Sequence, residues 1–196
     1  MSRVENVNVR FEKLGGITLK LLMVDNEIDL LSSGYLLQRY DSGCKINTVK
    51  RDSLTIGYFY KFCIDQGFDF HCFISSHTPM PIGAIEQLSS HCAINIGTAG
   101  RVSSEYYSAR MRVTWRFISW LWSFYQNQGR QTLEELKASK LHFESMEKGF
   151  RLYLSAPYSN SKLDRVGLSP ELRSLFLAII NPLPDDLSPA LAPRLG

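Results

Sequence analysis

The stretch Tyr107-Ser108-Ala109-Arg110-Met111-Arg112-Val113-Thr114-Trp115-Arg116-Phe117-Ile118-Ser119-Trp120-Leu121-Trp122-Ser123-Phe124-Tyr125 decides the fold class. Within it Tyr107, Met111, Trp115, Ile118, Leu121, Trp122 and Tyr125 recur at steps of three and four, so they line one face of an α-helix. Ser103 or Ser104 is a suitable cap and Gly129 a suitable stop, so the helix is predicted to reach Gln128.

Working outward, a helix rich in Glu and Lys is predicted over Thr132–Leu154. On the other side, Phe68–Gly100 is broken by Pro79, Pro81, Gly83, Gly97 and Gly100, with one helix expected over Ile82–Cys92. Asn47 is read as the N-cap of a helix over Thr48–Gln66 that stops at Gly67. Leu54, Tyr58, Phe62 and Cys63 are taken as its buried face, with Gly57 permitting a close contact. A short helix over Leu30–Tyr40 carries Leu31, Tyr35 and Gln38 along one side and breaks at Asp41-Ser42-Gly43. Ahead of it, Val7, Val9 and Phe11 alternate with Asn8 and Arg10, a strand pattern over Asn6–Glu12. Gly15-Gly16 turns this strand into the apolar run Ile17–Val24, and Asp25-Asn26 marks a second turn. The fold class is therefore mainly α, with a helical domain preceded by a short N-terminal β-hairpin. Strands occupy residues 1–29 and helices residues 30–156. The linker-like Ala156-Pro157-Tyr158-Ser159-Asn160-Ser161 leads into the remainder, 157–196, which holds a further helix over Pro170–Ile180, stopped by Asn181-Pro182.

Hydrophobic residues make up 44% of the chain and charged residues 21%, which argues against disorder. No secretory leader and no apolar run long enough to cross a membrane is seen, so a cytoplasmic protein with reduced thiols is expected. Net charge is only +3, but its distribution is uneven. Arg39, Lys45, Lys50, Arg51 and Lys61 face only Asp41 and Asp52 in one segment; Arg101, Arg110, Arg112, Arg116 and Arg130 face only Glu105 in another. Two cationic segments in an otherwise acidic chain are what a polyanion-binding surface requires, although a solvated basic helix face has the same composition.

Three pieces, in order, resemble the core-binding domain of tyrosine recombinases, the phage-integrase family. The first is Tyr35-Leu36-Leu37-Gln38-Arg39-Tyr40-Asp41-Ser42-Gly43-Cys44-Lys45-Ile46-Asn47-Thr48, continuing to Tyr58-Phe59-Tyr60-Lys61-Phe62-Cys63 and Gln66-Gly67-Phe68-Asp69. The second is Arg112-Val113-Thr114-Trp115-Arg116-Phe117-Ile118-Ser119-Trp120-Leu121, and the third is Gly167-Leu168-Ser169-Pro170-Glu171-Leu172-Arg173, which looks like the entry to that family's catalytic domain. The resemblance spans Leu30–Pro182. It implies a DNA-binding part of a site-specific recombinase, acting in DNA integration and recombination. It also departs from the family: no His-x-x-Arg occurs, and the last tyrosine is Tyr158. The catalytic half is expected to be missing, so no catalytic residue is assigned and this chain alone is not expected to cut DNA.

The residues expected to touch duplex DNA are Lys45, Asn47, Thr48, Lys50 and Arg51, around one predicted helix start, and Arg110, Arg112 and Arg116 on the long helix. Guanidinium and ammonium groups together with first-turn amides bind phosphates, and arginine is the commonest reader of guanine. The competing reading is a capped helix with ordinary surface cations. Trp115, Trp120, Trp122, Tyr106 and Tyr107 are candidates for stacking on bases, but Trp115 and Trp122 lie on the apolar stripe and are expected in the core. His71-Cys72 and His91-Cys92 lack zinc-site spacing, so no metal and no cofactor are expected. Expected partners are double-stranded DNA and other recombinase protomers, with no membrane. The rival readings are a helical protein–protein adaptor without a nucleic-acid role, a zinc-stabilised regulator and an enzyme of unrelated type.

Overall fold

The computed structural model describes residues 3–67, 69–78, 80–81, 83–95, 100–128 and 132–155, all within one unit, Met1–Tyr158. The linker at 156–161, the helix expected over Pro170–Ile180 and the tail lie outside the described residues. The chain is mainly helical with a small antiparallel sheet at its N-terminus.

Strands β1 (Val4–Phe11) and β2 (Ile17–Val24) pair from Val4↔Val24 to Phe11↔Ile17. Gly15 and Gly16 take φ of 76° and 72°, the left-handed region that only glycine enters without strain. Asp25 and Asn26, at φ 52° and 68°, make a tight hairpin turn into the two-residue β3 (Glu27–Ile28). Positive φ at both central positions matches the twist of the flanking strands, and Asp and Asn tolerate it better than most residues.

Helix α1 (Leu30–Asp41) starts at Asp29, whose carboxylate accepts the Ser32 amide at 2.7 Å. Helix α2 (Ile46–Asp65) begins two residues earlier than expected: Lys45, not Asn47, is its N-cap, and no side chain caps it. It ends at Gln66, with Gly67 at φ 68°. The expected buried face is corrected at Leu54, which is 45% exposed. The hairpin packs on one side of α2, and α1 and the long helix α5 (Ser104–Gln128) on another. The buried arc is therefore wide and runs through Val49, Asp52, Ser53, Ile56, Phe59, Tyr60 and Cys63, leaving Leu54 outside. Between α2 and α5 lie α3 (Phe70–Ser75), which has no counterpart among the expected elements, and α4 (Ala84–Cys92).

Ser103 Oγ accepts the Tyr106 amide at 3.3 Å, so Ser103 caps α5. The predicted stripe of α5 is the centre of the core: Tyr107, Met111, Ile118, Leu121 and Trp122 are buried. Trp115 packs between Phe143 and Phe150 of α6 (Leu133–Ser155), at ring distances of 5.2 and 4.9 Å. A reciprocal capping box opens α6. Glu135 Oε2 accepts the Thr132 amide at 2.7 Å, and Thr132 Oγ1 accepts the Glu135 amide at 3.2 Å. The Thr132 amide and the Thr132 hydroxyl both donate to the ionised carboxylate and hold the Glu135 carboxyl below its ordinary value.

Gly57 is where the hairpin crosses α2. A β-carbon there would lie 2.9 Å from Asn6 Nδ2 and 3.0 Å from Leu22 Cδ1, while Asn6 Oδ1 accepts from Ser53 Oγ at 2.8 Å. Gly57→Leu is expected to destabilise the domain by about 1–3 kcal/mol through overpacking, outweighing the roughly 1 kcal/mol of helix propensity that glycine forgoes. Urea denaturation checks this, and a midpoint at or above wild type would contradict it.

Candidate nucleic-acid interface

The N-terminal turn of α2 projects cations into solvent. Lys45, Asn47 and Arg51 are exposed, and Thr48 and Lys50 are half-buried. With no side chain capping this turn, its forward amides and the positive end of the helix dipole face outward. On α5, Arg112 and Arg116 are exposed and one turn apart. Among the described residues, Lys45, Lys50, Arg51 and Arg112 make no ion pair.

One carboxylate joins the two segments. Asp52 of α2 is fully buried. Arg39 of α1 donates from Nε to its Oδ2 at 3.3 Å, and Arg116 Nη2 of α5 lies 3.9 Å from its Oδ1. A buried carboxylate is stable only when paired, so this contact fixes α1, α2 and α5 to one another at the basic end of α2. Of the sequence-predicted residues, Arg116 is thereby brought beside α2, at Asp52. Arg39 and Asp52 were not among the predicted site residues.

Arg110 is corrected: it belongs to the interior. It is only 8% exposed and donates from Nη1 to the carbonyl oxygens of Cys92 at 2.9 Å and Ile94 at 2.8 Å. Its guanidinium lies 4.2 Å from the Tyr58 ring centroid and 4.6 Å from that of Tyr106. The cation thus satisfies carbonyls at the C-terminal end of α4, where positive charge is favoured, and is unavailable to a phosphate.

The aromatic candidates are also engaged within the fold. Tyr107 meets Ser89 Oγ at 2.6 Å through its hydroxyl, and Trp122 is buried. Trp120 is half-buried, donates its Nε1–H to the Gln38 side chain and stacks on Phe124 at 5.4 Å.

The opposite sign of charge collects around β3. An open cleft of about 510 Å³ is lined by Val24, Asp25, Glu27, Ile28, Asp29, Leu30, Leu31, His71 and Tyr125. Tyr60 donates to Asp29 Oδ2 at 3.0 Å and its hydroxyl meets His71 Nε2 at 2.9 Å. Since Asp29 only accepts, Tyr60 donates to it and His71 Nε2–H donates to Tyr60. Carboxylates at this rim repel a polyanion, and burial pushes the neighbouring Cys63 thiol far above its ordinary value, so it supplies no thiolate nucleophile.

The two His-Cys pairs do not form a site. Cys92 is buried, with its thiol pushed up to about 12, Cys72 is exposed, and His91 is held below the ordinary histidine value by burial. Among the described residues no group of three or more His, Cys, Asp or Glu could hold a metal ion. No helix among them is long and apolar enough to cross a membrane. No known family model matches the chain, and no curated protein or solved structure matches it.

Proposed function

We propose that this chain is a duplex-DNA-binding domain similar to the core-binding part of tyrosine recombinases, with no catalytic role of its own. DNA integration or recombination is the process it serves, other recombinase protomers are its further partners, and the cytoplasm is its compartment. The reading is supported by the Asp52 junction, which ties α2 to Arg116 on the arginine face of α5, and by the uncapped, cationic start of α2. Lys45, Lys50, Arg51 and Arg112 lack carboxylate partners among the described residues, so their charge is available to phosphates. The acidic cleft around β3 orients the domain by repulsion.

A second reading, the protein–protein adaptor, is favoured by α6, where Leu133, Leu141 and Leu152 are 67%, 66% and 69% exposed. Salt dependence separates the two. With about four phosphates neutralised, the logarithm of duplex affinity is expected to fall with log salt at a slope of roughly −4, about a hundredfold or more between 50 and 200 mM. Fluorescence anisotropy with a labelled duplex measures this. No binding at the lower salt would leave the adaptor as the better account.

A further inference from the structure

Resting on the DNA reading above, we infer that Arg39 and Arg116, spaced by the buried carboxylate of Asp52, form a seat for a single phosphate group between α1, α2 and α5. Two guanidiniums converge on one carboxylate, so the cluster carries an excess positive charge. The side chains of Arg39 and Arg116 are 23% and 46% exposed, while that of Asp52 is 0% exposed. A ligand therefore reaches the cations without reaching the anion.

The cluster is also incompletely bonded. Among the described residues, its hydrogen bond to Asp52 is Arg39 Nε to Oδ2; Arg116 at 3.9 Å is beyond hydrogen-bond range. Asp52 Oδ1 and the Tyr35 hydroxyl are buried with no hydrogen-bond partner among the described residues. Tyr35 feels the charges of Arg116, Asp52 and Arg39, so it belongs to the same cluster. Each guanidinium offers five N–H donors in a planar fork, most of them left over here. Tetrahedral phosphate oxygens match such donors in two directions, bidentately at each fork. A divalent cation is excluded by the two arginines, and a planar apolar ligand would leave the donors unpaired.

Asp52 is a positioning residue here. It contacts no phosphate but holds together two like charges that would otherwise separate. This gives a test with opposite signs. If Asp52 acts only through its charge, Asp52→Asn removes a repulsion and tightens duplex binding. If it positions the arginines, the same near-isosteric change weakens binding, by about tenfold at 0.1 M salt, the scale of one lost phosphate contact.

The experiment measures duplex affinity of the full chain against salt for wild type, Arg39→Gln, Arg39→Lys and Asp52→Asn, with inorganic phosphate titrated by calorimetry in parallel. Arg39→Gln is expected to reduce the salt slope by about 0.9, one phosphate. Should Arg39→Gln fail to fold, Arg39→Lys keeps Asp52 paired; it is expected to bind severalfold more weakly, the lysine lacking the fork. Wild-type binding with an unchanged slope in Arg39→Gln, unchanged affinity in Arg39→Lys, or tighter binding by Asp52→Asn overturns the seat but spares the DNA reading. Phosphate binding that Arg39→Gln abolishes, in a chain that binds no duplex, keeps the seat as a free-phosphate site and overturns the DNA reading. Binding of neither overturns both.

Discussion

Reversing Lys50, Arg51 and Arg112 to Glu is expected to cut duplex affinity by roughly a thousandfold or more at low salt. Each reversal removes a counterion-releasing contact and adds a carboxylate opposite a phosphate. At 50 mM salt one lost contact is worth roughly fifteenfold, and three compound. All three side chains stand outside the core and make no ion pair among the described residues, so the fold should tolerate their replacement. Arg116→Glu is the poorer probe. It would set a second carboxylate beside buried Asp52, and lost binding could then reflect lost structure. Anisotropy at several salt concentrations, with circular dichroism as the folding control, gives the answer. A triple variant that binds like wild type means these cations are not the interface.

How much of this was legible in the sequence depends on the length of the pattern. Helix α5 shows six to seven turns of one apolar stripe, and β2 is legible from Ile17 to Val24 because turn residues bracket it on both sides. Six residues in α3 and two in β3 are too short to display a period; they exist because Phe70 and Ile74 find a core and because Asp25-Asn26 folds the chain back. The start of α2 was missed for a different reason. A good capping residue at Asn47 is a local preference, and the packing of Val49 and Ile56 against their neighbours sets where the helix runs.

The charged residues carried more signal than their count suggested. Arg110 lies three residues after Tyr107 and one before Met111, inside the same stripe that reads as core. Arg112 and Arg116 lie off it. Likewise Asp52 falls between Val49 and Ile56, at helical spacing from both. An ion on a core stripe is stable only when its partner is supplied from another element, so such positions mark tertiary junctions rather than surface. What periodicity cannot give is the partner's identity: that Asp52 meets Arg39 and Arg116, and that Arg110 meets carbonyls, follows only from how the helices cross.

Arg110 supplies the sharpest contrast with the surface cations. Arg110→Ala is expected to cost about 3–5 kcal/mol. Two hydrogen bonds from a charged donor account for most of this, each at the lower end of about 1.5–3 kcal/mol, and cation–π contact with Tyr58 and Tyr106 adds about 1. The Cys92 carbonyl loses this donor within a buried region, and the C-terminal end of α4 loses its anchor to α5. The melting temperature should drop by roughly 10 °C for a domain of this size. Arg110→Lys keeps the charge but cannot reach both carbonyls while lying flat between two rings, so it should recover only a minor part. Neither change should alter the salt slope of duplex binding, measured below the melting transition, because Arg110 faces no phosphate. The two observables thus separate two kinds of arginine on one helix. A variant at Arg110 that melts like wild type yet flattens the salt dependence would return this residue to the interface and undo the assignment of α5's inner and outer faces.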